Sequence, residues 1–175
     1  MTALKRIAVS VALVLAFAGS LARCEDKDAA GEDHLAPLSR FIGNWVIDAK
    51  WVDGNDLHAR ASYEWGLGKK IIKYKVWVGQ GADEYLRYEG VIAYHPMRKQ
   101  IVEYSFAFDG GITEVVLDVK DADTVQTGFT AFDPANPPKV RQVLKFTGND
   151  KHAWTVEVSA DGQWQQIMDG VWKRQ

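Results

Sequence analysis

The four histidines, His34, His58, His95 and His152, come first, because imidazole is the side chain that exchanges protons or holds metal near neutral pH. Their spacing matches no metal-ligand pattern, so neither a metal nor another cofactor is expected. His95, in "AYHPMRK", reads in two ways. It is a ligand or acid–base group at the mouth of a barrel, or a turn residue held extended by Pro96, and the proline favours the turn. His152 is expected in a turn after "TGNDK".

The charged residues Glu64, Arg87, Glu89, Glu103 and Glu114 fall in the middle of strand-like segments. Pointing inward they would be costly unless paired, and so would mark a site. Alternation sets Arg87 and Glu89 against Leu86, Tyr88, Gly90 and Ile92, and sets Glu103 against Val102, Tyr104, Phe106 and Phe108. Most of these charges therefore read as solvent face, whereas Glu64 suits either face. No Gly-x-Ser-x-Gly elbow occurs, no cysteine lies within the folded part, and there is no phosphate-cradling or dinucleotide fingerprint. "GLGKK" (Gly66 to Lys70) lacks a strand-to-helix setting and reads as a hairpin turn. The aromatic residues Trp77, Tyr88, Tyr94, Tyr104, Phe106 and Trp154 are the firmer signal. Together with Glu64 they line a cavity suited to a small amphipathic ligand, or else they fill the core.

The elements that must position these residues are strands. Short segments rich in Val, Ile, Tyr, Trp, Phe and Thr are divided by Gly, Asp, Asn and Pro. Ten are expected: 45–53, 58–66, 70–79, 84–94, 100–108, 112–120, 124–132, 139–147, 153–159 and 164–174. Their even spacing and short links predict antiparallel neighbours in chain order, with "DPANPP" as the one longer loop. A meander of this length leaves two unpaired edges unless it closes. The expected fold is therefore all-β, an antiparallel up-and-down barrel of 8–10 strands, whose interior is filled by side chains or holds one small ligand. Leu35, Leu38, Phe41 and Ile42 predict a short N-terminal helical turn ending at Gly43.

The chain begins "MTALKRIAVSVALVLAFAGSLARC". A basic start, an apolar run from Ile7 to Phe17 and the small-x-small site Ser20-Leu21-Ala22 read as a secretory signal peptide over 1–22. The run falls short of the about 20 apolar residues of a membrane span, so the mature chain has no expected transmembrane segment. The protein is expected in the periplasm or secreted after cleavage near Ala22. Cys24 invites a lipid anchor, but Arg23 precedes it where lipoprotein processing wants a small residue, which argues against one. Residues 23–34 read as a flexible leader and 35–175 as one domain. The net charge of −2 gives no pull towards nucleic acid.

In strand 45–53 the alternation puts Trp45, Ile47, Ala49 and Trp51 on one face. Closure brings the last strand back beside the first, which places Arg174 or Lys173 across the Trp45 ring at a closed end. Gly43-Asn44-Trp45 after a helical turn, with Trp172-Lys173-Arg174 at the end, resembles the lipocalin and calycin superfamily. The middle, "YEGVIAYHPMRKQIVEYSFAFDGG", is similar to uncharacterised bacterial calycin-like domains, with His95 where that pattern often has an acid. The resemblance implies a barrel with an apolar cavity, closed by Gly43, Trp45 and Arg174, and brings no established activity. Nitrobindin, a haem-binding relative of ten strands, uses a late histidine; the only late one here, His152, is expected in a turn and the last strand has none, which argues against haem. Three functions fit this reading. The leading one is an exported barrel that binds a small apolar or amphipathic molecule without turnover. The second is an enzyme (hydratase, isomerase or cyclase) with an inward Glu64 or Glu103 as general base. The third is a cell-envelope interaction module with a filled core.

Overall fold

A computed structural model describes residues 33–130, 138–159 and 162–175. The apolar N-terminal run, Ala22, Cys24, nearly all of the leader and the "DPANPP" loop apart from Pro138 lie outside the described residues. Ten antiparallel strands form one closed barrel: β1 (Gly43–Lys50), β2 (Asp56–Gly66), β3 (Ile71–Val78), β4 (Tyr85–His95), β5 (Gln100–Ala107), β6 (Ile112–Val119), β7 (Thr124–Thr130), β8 (Lys139–Phe146), β9 (Lys151–Ser159) and β10 (Gln165–Arg174). Each strand pairs with its chain neighbour, and β1 closes onto β10, an up-and-down barrel. Among the described residues no helix is long and apolar enough to cross a membrane.

The expected strands and the observed ones agree to within two residues at each end, apart from β1, which stops three residues short of its expected end, because turn residues mark the boundaries locally. One boundary matters. β9 starts at Lys151, so His152 lies in the strand opposite Phe146 and Trp172, and not in the preceding turn.

The register fixes which face is inside. From β1 to β10 the inward residues include Trp45 and Ile47, Ala59 and Ala61, Ile72 and Tyr74, Ile92, Val115 and Leu117, Val125, Val140, Val156 and Met168, all of them buried. One end is plugged by a 3-10 helix, Ala36–Phe41. A 3-10 helix turns every three residues, so Leu35, Leu38 and Phe41 share a face, and all three are buried in the barrel end. Arg40, on the other side, stacks over Phe146, pairs with Asp123 and donates to the carbonyls of Ala122 and Gly148, tying the plug to two hairpin turns.

Trp45, fully buried, donates its indole N–H to Phe41 O at 2.7 Å. The Arg174 guanidinium lies 4.4 Å from the Trp45 ring centroid and donates to the carbonyls of Ile42, Arg40 and Asn149. Gly43, at φ 126°, opens the space beside it, since a Cβ there would run into the Arg174 guanidinium. Replacing Trp45 by Ala should lower the unfolding free energy by about 3–5 kcal/mol, and Gly43→Ala should also lower the melting temperature. An unchanged melting temperature in both variants would contradict this account of the closed end.

Candidate functional site

Four polar side chains converge on the inner wall of β2, β3 and β5. Tyr74 donates its hydroxyl to Glu103 Oε1 at 2.6 Å. Tyr63 stacks on Tyr74, with centroids 5.7 Å apart and planes 29° apart. Ser105 follows Glu103 on the same face of β5 and hydrogen-bonds to the Tyr74 hydroxyl. Around them the wall is apolar: Ile92 and Val115 stand directly opposite Glu103 on the flanking strands.

The cluster exists because of a glycine. Tyr74 faces Gly90 across the β3–β4 ladder, and its ring crosses β4 to reach β5. A Cβ on Gly90 would stand 2.7 Å from the Tyr74 hydroxyl and 2.8 Å from its ring. No residue with a side chain permits that crossing.

Burial pushes the Glu103 carboxyl above the usual carboxylate range, while the Tyr74 hydrogen bond works the other way. Burial, then the neighbouring Glu103, pushes both Tyr63 and Tyr74 above the ordinary tyrosine value, so both stay neutral. Glu103, Tyr63 and Ser105 point inward and keep some accessible surface, while Tyr74, Ile92 and Val115 beside them are buried.

The sequence candidates divide between the two faces. Trp154 points inward, donates to Gln142 at 2.9 Å and meets Trp51 edge to face at 6.5 Å. Tyr94 points inward near the plugged end, where His34 stacks on it at 3.5 Å. Tyr88 lies on the inner side at the far rim, with Arg87 over its ring at 5.1 Å. Trp77, Tyr104, Phe106 and Glu64 are on the outer face, which corrects their assignment to the cavity. Trp77 is covered by the Arg60 guanidinium at 3.8 Å, itself paired with Glu84. Tyr104 hydrogen-bonds to Glu114. Glu64 pairs with Lys73 at 3.3 Å and shares with Phe106 a shallow outer groove of about 420 Å³.

The same register corrects Glu103. It was expected on the solvent face with the other mid-strand charges, and it is the one that points in. On β5 the aromatic face, Tyr104 and Phe106, is the outer one. The signal available in the sequence was Gly90, a glycine in mid-strand that marks close approach by a neighbour.

His152 sits in the plugged end, ringed by Trp45, Phe146, Phe41 and Trp172 at 4.9 to 6.2 Å. Burial, opposed by a backbone hydrogen bond at Ala153 and aided by the Arg174 charge, pushes it down to about 4. Among the described residues no group of three or more His, Cys, Asp or Glu could hold a metal ion.

No protein family matches the chain, and no curated protein matches it. Among solved structures it is similar to the S-type phycobiliprotein lyase CPES from Guillardia theta, with TM-score 0.48, 8% identity, and coverage of 78% of this chain and 89% of that one. A redesigned β-barrel gives TM-score 0.42 at 14% identity, covering 78% and 93%. A redesigned β-barrel bound to DFHBI gives 0.38 at 13%, covering 77% and 95%. These values are too low to bear on what this chain does.

His152 and Glu103 predict opposite pH effects. His152 holds its proton less well when folded, so stability falls as pH drops from 6.5 towards 4, by up to about 3 kcal/mol. Glu103 holds its proton better when folded, so its contribution is lost as pH rises from the ordinary carboxylate range through the raised value. Urea unfolding as a function of pH checks both. His152→Phe should flatten the acid slope, and Glu103→Gln should remove the opposing one.

Proposed function

We propose that this chain is an exported carrier whose barrel holds one small amphipathic molecule. The observation that carries this reading is the Glu103–Tyr74–Ser105–Tyr63 cluster, a few convergent polar groups, three of which keep accessible surface, on an otherwise apolar inner wall. A polar cluster inside a fully packed core would be a cost without return, which weighs against an interaction module with a filled interior. The 3-10 plug closes one end with Leu35, Leu38, Phe41 and Trp45, so the ligand enters from the end that carries the β1–β2, β3–β4 and β5–β6 links. The signal-peptide pattern over residues 1–22 supports export, and with it a place in the periplasm or outside the cell.

A second reading has an observation of its own. A carboxyl raised by burial and bonded to a tyrosine hydroxyl is equipped to take a proton from a substrate, as a hydratase, isomerase or cyclase requires. Glu103, and not the outward Glu64, is the residue that could do this.

Native mass spectrometry of the mature protein, purified gently from its own host, tests both. A reproducible extra mass released by organic solvent is expected, and it should vanish in Ser105→Phe, which fills the space beside the cluster, at an unchanged fold by circular dichroism. A clean apo mass from the host-purified protein would overturn the carrier reading. Two interconvertible forms of the released compound in the wild type, but one in Glu103→Gln, would move the assignment to an enzyme.

A further inference from the structure

The interior of this barrel carries a carboxyl without a counter-cation. Among the described residues the ion pairs lie on the outer face or in the turns: Arg60 with Glu84, Arg141 with Glu157, Lys73 with Glu64, Arg98 with Glu114. Glu103 has an ion pair with none of them. The inward cation at the plugged end, Arg174, is committed to the carbonyls of Arg40, Ile42 and Asn149. An acid left this way costs free energy unless a partner offsets it.

The chemistry of that missing partner can be read from what the cluster offers. Tyr74 spends its proton on Glu103. What remains facing the interior is the second carboxyl oxygen, the lone pairs of Tyr74 and Ser105, and the Tyr63 hydroxyl, which donates as well as accepts, so acceptors outnumber donors. Beside them lie the stacked faces of two tyrosines, which attract cations. Several acceptors, one of them an acid, next to aromatic faces suit a group with several donors and a positive charge. An ammonium has three donors and is compact enough to enter a barrel wall.

We propose that Glu103 is the anchor for a protonated primary amine, so that the molecule carried is an amphipathic amine whose apolar part lies along the inner wall. This rests on the carrier reading. The ammonium donates to the Glu103 carboxylate, Tyr74 holds that carboxylate in place from the other side, and Gly90 keeps the passage for the Tyr74 ring clear.

Isothermal titration of octylamine, octanol and octanoate into the folded wild-type protein and into Glu103→Gln tests this. The three probes share one apolar chain and differ in the head group. The amine should bind the wild type about tenfold or more tightly than the alcohol, the worth of one charge-assisted hydrogen bond. Octanoate should bind weakest, and Glu103→Gln should bring the amine down to the alcohol, weakening the amine far more than the alcohol. If amine and alcohol bind the wild type alike, if octanoate binds best, or if the amine keeps its advantage in Glu103→Gln, the amine anchor is wrong and the carrier reading stands. If none of the three binds, the carrier reading fails and takes the anchor with it.

Discussion

Everything in this fold depends on the seam between β1 and β10. Most neighbouring strands share six to eight registered pairs, as β1 and β2 do, but β1 and β10 share two, Trp45 with Arg174 and Val46 with Lys173, plus a bridge from Trp51 to Met168. A sheet that fails to close exposes two edges, so a short seam must be held by other means. Side chains do it. Arg174 spans the seam at the plugged end, stacked on Trp45 and bonded to three backbone carbonyls. Further along, Gly170 lets β1 lean in: a Cβ there would stand 2.7 Å from Ile47 and 3.0 Å from Ala49. Two glycines, one on each strand, thus permit the approach that the hydrogen-bond ladder does not enforce.

The plug gives the barrel a direction. Leu35, Leu38 and Phe41 enter from the end where Trp45, Phe146, His152 and Trp172 already crowd together, so that end is dry and aromatic. The dryness explains why His152 loses its proton affinity there and why it reads as a core residue: four rings enclose it. The polar cluster around Glu103 lies on the wall of β2 to β5, where Tyr63, Glu103 and Ser105 keep accessible surface among buried neighbours. His152 and Glu103 therefore differ in kind. One is sealed by packing, and the other is bonded but incompletely enclosed.

The outer face carries its own order. Arg60 over Trp77 and Arg141 over Trp164 show long cationic side chains lying flat on aromatic rings of the convex surface. Such contacts shield large outward aromatics without burying them in the core. They are the reason an aromatic face on a strand of this barrel is a poor guide to the inside.

What the sequence determined by itself was whatever is settled between near neighbours in the chain. Alternation of period two and turn residues at short intervals mark ten strands, because both are local: a pleat repeats over two residues and a turn over four. The Gly43-Asn44-Trp45 start and the basic end fall at opposite ends of the same closed meander, so their meeting was legible as well. Which face of each strand points inward was decided only by the tertiary register. A shift of one residue exchanges the two faces, and composition does not choose between Tyr104 with Phe106 and Glu103 with Ser105. The structure chooses the acid because Gly90, one strand away, leaves room for Tyr74 to cross and bond it. No pattern along β5 alone records that contact, since its three members come from three different strands.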